Sequence, residues 1–487
     1  MDLAFRSATA LAGMIRNREI SAEALLEHYL QRLQRYNPAL NAIVATDIEA
    51  ARERARAADA ALAAGESWGP LHGVPITIKD TFEVAGMPTT AGAKELRDHR
   101  PSSNAVAVQR LLDAGAIVFG KTNVPLYAGD LQTYNEVYGS TSNPWDLHRT
   151  PGGSSGGAAA ALAAGLTALE LGSDIGGSIR TPSHFCGVCG LKPSYGIIPS
   201  RGHIPGPPGT LSEADISVTG PMARSVDDLE LALDILAGPD TPAAKGWRLE
   251  LPAPRHGQLR DYRVAAWLDD PACPVDSEIV QALHGTVERL RAEGVRVDEQ
   301  ARPAGHDLAK IYDLFYPLLT AALSAGLPSK VFDRMLDVAA DAAPGDRHYF
   351  VRFARAATQR HADWLRLNER RQKLRRTWED FFQDYDILLC PVVQTLAFPK
   401  DENPAISDRI LTVNGKPQPY MDIMVWAGVA GVAYLPSVVI PVGRSREGLP
   451  IGIQIIAPYL EDRTALAFAR HLERLLGGFQ PPPGHTD

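Results

Sequence analysis

A stretch of small residues from Pro151 to Pro182 constrains the fold more than any other part of the sequence. It contains Gly-Gly-Ser-Ser-Gly-Gly at 152–157 and Gly-Gly-Ser at 176–178, and the alanine-rich run between them carries no charge until Glu170. Glycine permits positive φ and lets other atoms approach the backbone closely, so we predict two buried serine loops joined by a helix of small residues. Serine provides a nucleophile or a proton-passing hydroxyl, and a loop at a helix start presents free N–H groups to negative charge.

The size and charge of the chain limit the classes of protein to which it can belong. It has 487 residues, 45% hydrophobic and 22% charged, which is typical of a soluble globular protein with a large core. Its net charge of −8 argues against nonspecific binding to nucleic acid or anionic membranes, and its four cysteines are too few for a disulfide framework. The N-terminal sequence MDLAFRSATA lacks both the basic and the apolar region of a signal peptide. We therefore predict a cytoplasmic protein with neither a nucleic-acid nor a membrane partner.

Helix and strand patterns alternate along much of the chain. Ser21 and Asp47 are suitable N-caps for two amphipathic helices, and Ser103 for a third that reaches Ala114. The strand patterns cover 41–46, 74–79, 116–120, 264–268, 295–298, 387–393, 437–442 and 451–456. This alternation predicts an α/β fold in which helices cover the faces of a sheet.

Three further segments have distinctive compositions. Residues 306–385 have mostly helical patterns, and we expect their aromatic side chains to pack in the core. Residues 423–443 carry no charge over roughly the length of a membrane span, but Pro436 and Pro441 favour a buried helix followed by a buried strand. The proline-rich stretch 201–211 predicts a stiff loop, either at the rim of a pocket or as a surface connection.

The serine-rich stretch matches two known catalytic patterns only in part. Gly-Gly-Ser-Ser-Gly fits G-x-S-x-G at both Ser154 and Ser155, which is the nucleophile elbow of α/β-hydrolases. An elbow follows a strand, whereas residues 143–151 have the composition of a loop, so the elbow stays a minor alternative. A phosphate-binding loop would end in Gly-Lys-Ser/Thr, whereas Gly157 is followed by alanine.

Histidine and cysteine give little sign of metal or redox chemistry. Cys186 and Cys189 have C-x-x-C spacing without a second pair or nearby histidines, so we predict buried structural thiols. His72 precedes a predicted strand, where a structural role is favoured over that of a base. No metal-binding motif such as HExxH occurs, and we predict neither a metal nor a cofactor.

Lys79 ends an otherwise apolar strand pattern and is followed by Asp80. A lysine in such a place usually extends to solvent or pairs with a carboxylate. A desolvated lysine can instead have a pKa of roughly 7–8 and act as a general base. Because two serine loops occur and no histidine is a compelling base, the sequence favours a catalytic role for this lysine.

Seven stretches of the sequence resemble the amidase signature family. They are HGVPITIKD (72–80), GKTNVP (120–125), NPWD (143–146), TPGGSSGGAAAALAAG (150–165), GSDIGGSIRTPSHFCGVCGLKPSYG (172–196), TGPMARSVDDL (219–229) and PIGIQIIA (450–457). The resemblance implies one α/β domain over residues 1–487, with a mixed β-sheet core covered by α-helices on both faces. N-terminal helices would occupy 1–65, the signature core about 70–230, and a variable helical region at about 300–430 would shape the substrate pocket.

The resemblance also implies a catalytic triad. Lys79 corresponds to the base, and Ser154 to a proton-passing serine preceded by a cis peptide bond. Ser178, which lies 24 residues after Ser154, corresponds to the nucleophile that forms the acyl-enzyme. Ser155 and Arg180 correspond to supporting residues.

Further residues correspond to the groups that bind the substrate carbonyl. The resemblance implies an oxyanion hole built from the backbone N–H groups of Ile175, Gly176, Gly177 and Ser178. Ala128, in the loop after GKTNVP, corresponds to a position that lines the acyl site.

The activity implied by the resemblance is cofactor-free hydrolysis of a small-molecule carboxylic amide, with esters or carbamates as further substrates and a homodimer as one possible assembly. One alternative is the A-type subunit of a glutamine amidotransferase, which releases ammonia for a partner acting on charged tRNA. We favour the standalone hydrolase because residues 201–211 and 420–435 do not resemble such a subunit. Another alternative is an inactive scaffold, which the presence of Lys79, Ser154 and Ser178 disfavours.

Overall fold

A mixed sheet forms the centre of the protein. The structure, a computed structural model, describes residues 2–204, 207–346, 348–403 and 405–486. In these ranges the strands are β1 (Ile43–Thr46), β2 (Pro75–Lys79), β3 (Ile117–Thr122), β4 (Tyr134–Asn135), β5 (Gly139–Ser140), β6 (Glu170–Asp174), β7 (Cys189–Lys192), β8 (Val218–Ala223), β9 (Arg263–Ala266), β10 (Arg296–Asp298), β11 (Ile387–Pro391), β12 (Ile410–Val413), β13 (Lys416–Pro419), β14 (Ser437–Arg444) and β15 (Pro450–Ile456).

Eleven of the described strands form the main sheet, in the order β1-β3-β2-β6-β8-β7-β14-β15-β11-β9-β10. Strands β3, β2 and β6 run parallel, as do β11, β9 and β10, whereas each pairing from β6 across to β11 is antiparallel. The C-terminal strands β14 and β15 therefore lie in the middle of the sheet. Two small hairpins, β4–β5 and β12–β13, stand apart from it.

Helices pack against this sheet and complete an α/β architecture, which confirms the predicted fold class. For example, α6 packs on β14 and β15, and α14 on β14. The described α-helices are α1 (Ala8–Arg16), α2 (Ala22–Leu40), α3 (Ile48–Ala63), α4 (Val106–Asp113), α5 (Gly156–Ala163), α6 (Arg180–Cys186), α7 (Val226–Leu236), α8 (Ser277–Ala292), α9 (Leu308–Ser324), α10 (Ser329–Asp341), α11 (Tyr349–Ala357), α12 (His361–Asp384), α13 (Val425–Gly431) and α14 (Asp462–Leu476).

The predicted helix starts are correct where a side chain caps the helix. The Ser21 hydroxyl accepts a hydrogen bond from an N–H of α2, and the Asp47 carboxylate does the same for α3. The prediction for Ser103 is wrong, because α4 begins at Val106 and has no side-chain cap. The N–H groups of Ala105 and Val106 instead donate to the carbonyls of Glu83 and Arg201, so tertiary contacts define this helix start.

The small-residue stretch is only partly helical. Helix α5 is buried along its whole length, but the chain then turns into β6 and does not continue as a helix to the second serine loop. The uncharged segment 423–443 forms α13 and then β14, as predicted. Among the described residues, we find no helix with both the length and the apolar character needed to cross a membrane. Of the proline-rich loop 201–211, Pro205 and Gly206 lie outside the described residues.

Candidate active site

Lys79 is the last residue of β2, and its side chain is fully buried. Its Nζ lies 2.7 Å from the Oγ of Ser154 and 2.9 Å from the Oγ of Ser173. Strands β2 and β6 pair in parallel, so their carboxyl ends meet at one edge of the sheet and bring Lys79 beside Ser173. Ser154 reaches the same point from the loop before α5. The structure thus brings the expected base and the expected proton-passing serine into direct contact.

The surroundings of Lys79 bring its neutral form into reach near pH 7. Burial lowers the pKa of Lys79 to about 7, because the desolvated ammonium loses its hydration, and this outweighs the attraction of Asp174 and Glu170. Burial also raises the pKa of Glu170 to about 8, so that this carboxyl is mostly uncharged at neutral pH. Although burial opposes it, the Arg180 guanidinium lowers the pKa of Asp174 to about 2.

The first serine loop fits tightly between its neighbours. The peptide bond between Gly153 and Ser154 is cis, as the family resemblance implies. A Cβ on Gly157, in the first turn of α5, would lie only 2.4 Å from the backbone nitrogen of Asn123, so only glycine fits there. The N–H of Ser155 donates to the carbonyl of Ser178 at 3.1 Å and thereby joins the two serine loops.

The second serine loop connects β6 to α6 and is organised by Asp174. The Asp174 carboxylate accepts hydrogen bonds from the N–H groups of Gly177 and Ile179, both at 3.0 Å. It also pairs with the guanidinium of Arg180, with both groups buried. Gly177 has a φ of 113°, where a side chain would be strained. Ser178 follows it and is buried, with 5% of its surface exposed.

Among the expected oxyanion-hole donors, Gly177 differs from the prediction. Its N–H is engaged by Asp174, because the carboxylate caps the turn from within. The N–H groups of Ile175, Gly176 and Ser178 are the remaining donors of the expected set. Gly177 contributes the positive φ of the turn.

Apolar side chains from distant elements face the second serine loop. A Cβ on Gly176 would lie 2.9 Å from the Sδ of Met424 and 3.8 Å from a methyl carbon of Leu319. A Cβ on Gly177 would lie 3.3 Å from the Cβ of Ala427. Leu319 is on α9 and Ala427 on α13, so the helical region after residue 300 supplies a wall beside the loop.

The loop that carries Ala128 borders the first serine loop. Ala128 is half-buried, and a Cβ on Gly153 would lie 2.8 Å from the carbonyl oxygen of Asp130. Buried Asp130 accepts hydrogen bonds from Arg409 at 2.6 Å and from the Tyr420 hydroxyl at 2.5 Å, which fixes this loop to the hairpin β12–β13. Contact between Ala128 and a substrate stays a prediction.

Two further residues lie beside Lys79 and were not predicted from the sequence, Ser173 and His203. His203 lies in the proline-rich loop, and its Nε2 is 2.9 Å from the Oγ of Ser173. Its ring packs on Phe82, with centroids 4.5 Å apart. Ser173 lies within a matched motif, but the Gly-Gly-Ser pattern of that motif indicates Ser178 and not Ser173. No sequence pattern indicates His203, because only the tertiary course of its loop brings it next to Ser173.

The other histidine and the cysteines that the sequence analysis considered are separate from this cluster. His72 is buried, accepts the N–H of Trp68 at Nδ1, and its Nε2 lies 3.0 Å from the carbonyl of Ala58. Cys186 and Cys189 are free, buried thiols, and burial raises the pKa of both. Within the described ranges, no three His, Cys, Asp or Glu side chains converge as a metal site would require.

Lys79, Ser154 and Ser173 form a lysine–serine cluster at the carboxyl ends of β2 and β6, next to a glycine-rich turn. Such a cluster is typical of enzymes with the amidase signature, which act on C–N bonds. The sequence model of the Amidase family matches residues 24–466, and the chain belongs to this family.

Relatives of the chain have several activities. It is 33% identical over 485 residues to the A-type subunit of glutamyl-tRNA(Gln) amidotransferase from Anaeromyxobacter sp. (strain K), with 95% of both proteins covered. It is similar to the structure of 6-aminohexanoate cyclic dimer hydrolase, with 27% identity, a TM-score of 0.79 and all of both chains covered. A bacterial aryl acylamidase shares the fold, with a TM-score of 0.82, 24% identity, and 97% and 96% coverage.

Proposed function

We propose that the protein cleaves the C–N bond of a carboxylic amide through an acyl-enzyme on Ser178. The observation that carries this proposal is the 2.7 Å contact between the Nζ of Lys79 and the Oγ of Ser154. A fully buried amine with a pKa of about 7 is a general base at neutral pH, and the cluster needs no metal-bound water or catalytic histidine as base.

The proposed proton path runs from Ser178 through Ser154 to Lys79. Neutral Lys79 accepts the Ser154 proton while Ser154 accepts the Ser178 proton, and the Ser178 oxygen attacks the carbonyl carbon. The proton returns through Ser154 to the leaving amine as the C–N bond breaks. Water then cleaves the acyl ester by the same path and restores the Ser178 hydroxyl.

The turn after β6 would stabilise the tetrahedral intermediate. The N–H groups of Ile175, Gly176 and Ser178 would donate to the oxyanion, and each such donor contributes about 3–4 kcal/mol in comparable sites. Asp174 and Arg180 hold the turn in place and do not contact the reacting atoms in this scheme. Ser155 ties the turn to the Ser154 loop.

Two classes of amide fit this chemistry, and different observations favour each. The curated relatives, named as one subunit of glutamyl-tRNA(Gln) amidotransferase, favour glutamine as an ammonia source for a partner, and they support this candidate better than a standalone hydrolase. The wall of Met424 and Leu319 favours an amide with an apolar acyl group. We retain hydrolysis of a small-molecule amide as the first candidate because these side chains pack directly against Gly176, a proposed oxyanion donor.

The nucleophile is tested with the variant Ser178→Ala. It removes one hydroxyl from a buried loop, so the fold should be kept while acyl-enzyme formation is lost. Wild type mixed with a slow carbamate or a fluorophosphonate should show a covalent adduct by mass spectrometry, and the variant should show none. An adduct of equal yield on Ser178→Ala would refute the nucleophile, and an unlabelled wild type would favour the scaffold alternative.

The two substrate classes are separated by their products and partners. A standalone hydrolase should turn over primary amides and anilides with apolar acyl groups when purified alone. An amidotransferase subunit should release ammonia from glutamine and copurify with a partner that acts on charged tRNA. Ammonia release from glutamine that increases with such a partner, without turnover of apolar amides, would select the second candidate.

A further inference from the structure

His203 contacts the lysine–serine cluster through Ser173. The Oγ of Ser173 is 2.9 Å from the Nζ of Lys79 and also 2.9 Å from the Nε2 of His203. A serine hydroxyl has one proton to donate, so it can give that proton to only one of these two nitrogens. The direction of this donation determines whether the lone pair of Lys79 is free to accept the Ser154 proton.

The proposed mechanism depends on the lone pair of neutral Lys79. If the Ser173 hydroxyl donated to Nζ, it would occupy the lone pair that has to accept the Ser154 proton. If it donates to His203, its oxygen instead accepts an N–H from Lys79. The lysine lone pair is then directed to the Ser154 hydroxyl, 2.7 Å away.

We propose that His203 is a positioning residue that sets the direction of the proton path, by accepting the Ser173 proton at an unprotonated Nε2. The ring is then neutral and carries its proton on Nδ1. Because Lys79 is the base of the proposed function, this role of His203 depends on that function. His203 itself contacts no reacting atom.

The charges around His203 favour the neutral ring. Desolvation and the nearby Lys79 lower the pKa of His203 to about 3, so the ring is uncharged at neutral pH. The acidic groups that act on Lys79, Asp174 and Glu170, both lie on β6. A cationic His203 would donate from Nε2 and would also repel a protonated Lys79.

The loop around His203 is tied to the segment that follows β2. The N–H of Ile204 donates to the carbonyl of Thr81 at 2.7 Å, and the N–H of Glu83 donates to the carbonyl of Gly202 at 2.9 Å. The ring of Phe82 packs against the imidazole. These contacts hold the ring in place independently of Ser173.

Two substitutions separate the acceptor of His203 from its bulk. His203→Gln supplies a carbonyl oxygen near the position of Nε2, whereas His203→Met keeps bulk against Phe82 but offers only a weak acceptor. We expect His203→Met to lower kcat for an amide about tenfold with little change in KM, and His203→Gln to keep most of kcat. His99→Gln, at a histidine bonded to Glu83 in the neighbouring segment, is the control and should match wild type.

Unchanged kcat in a folded His203→Met protein would overturn the proposal, as would equal losses in the Met and Gln variants. A double-mutant cycle with Ser173→Ala gives a second criterion. Once Ser173 is gone, His203→Met should cause no further loss, because its effect passes through that hydroxyl. A full additional tenfold loss would show that His203 acts by another route.

The proton position can also be measured in the unmodified protein. Nitrogen NMR of the imidazoles, with His203 assigned by its absence in His203→Gln, should show a proton on Nδ1 and no titration across neutral pH. A proton on Nε2 would overturn the proposal, whatever the activities of the variants. The Ser178→Ala adduct test separates the proposed function from the role of His203. An adduct on Ser178→Ala refutes the proposed function. If Ser178→Ala forms no adduct but His203→Met is fully active, only the role of His203 is refuted.

Discussion

At the scale of single residues, the protonation state of Lys79 depends on how the charges of its acidic neighbours are neutralised. Glu170 accepts a hydrogen bond from Thr77 at 2.6 Å, but burial keeps it mostly protonated at neutral pH. Asp174 is ionised, yet it is bound by Arg180 and by backbone N–H groups of the turn. Arg180 therefore affects the protonation of Lys79 indirectly, because it pairs with the negative charge that would otherwise favour protonated Lys79.

The pH dependence of kcat/KM should follow the protonation of Lys79. Protonated lysine has no lone pair, so the active fraction falls as the pH drops through the pKa of about 7. We expect kcat/KM for an amide to fall about tenfold per pH unit below that value and to level off above it. A steady-state profile measures this, and a profile flat down to pH 5 would contradict Lys79 as the base.

Replacement of Lys79 should affect amides more than esters. An amine leaving group has to be protonated as it departs, whereas a phenoxide needs little help. We expect Lys79→Ala to lower amide turnover by about 10²–10⁴-fold, and to lower the turnover of a matched aryl ester less. His72→Ala, just before the start of β2, is the histidine control and should keep most amide activity. The reverse pattern in the two variants would mean that the serine–serine–lysine scheme is wrong.

At the scale of elements, α9 and the segment around α13 place apolar side chains next to the second serine loop. Met424→Ala should enlarge the space in front of Gly176 and shift kcat/KM toward amides with bulkier acyl groups. Met335→Ala is a matched control, because Met335 is equally buried but packs on α11, within a separate cluster. Both variants should lower the free energy of unfolding by about 2–5 kcal/mol, while only Met424→Ala changes the order of preference in an acyl-length series. The same order of acyl-length preference in both variants would show that Met424 does not contact the acyl group.

The same elements show what the sequence could and could not predict. Lys79, Ser154 and Ser178 stand in short motifs that the sequence could single out, whereas the contact between Lys79 and Ser154 depends on the tertiary course of the chain. Strands β6, β7 and β8 were not predicted, because each is interrupted by a glycine and is buried on both faces, and so shows no alternation of apolar and polar residues. His203 was missed because a loop contact with Phe82 has no periodicity.

At the scale of the whole molecule, a buried ion pair joins segments that are far apart in the sequence. Arg409 and Asp130 are both buried and 2.6 Å apart, and they connect the start of the hairpin β12–β13 to the loop beside Ser154. Arg409→Met should lower the free energy of unfolding by about 3–5 kcal/mol, because it leaves a buried carboxylate without its cation. Arg366→Met removes an exposed pair with Asp363 and should change stability little. Urea titration measures both, and equal midpoints would contradict this role of the buried pair.

The position of β14 and β15 in the middle of the sheet has a consequence for biosynthesis. A ribosome releases β7 and β11 long before it releases the two strands that have to lie between them. Until residue 456 has left the exit tunnel, the nascent chain therefore exposes two unpaired strand edges, which are sites of aggregation. A transcript cut short before β14 should yield insoluble protein rather than a smaller working enzyme, and chaperones that bind extended apolar segments should associate with this chain until its last strands emerge.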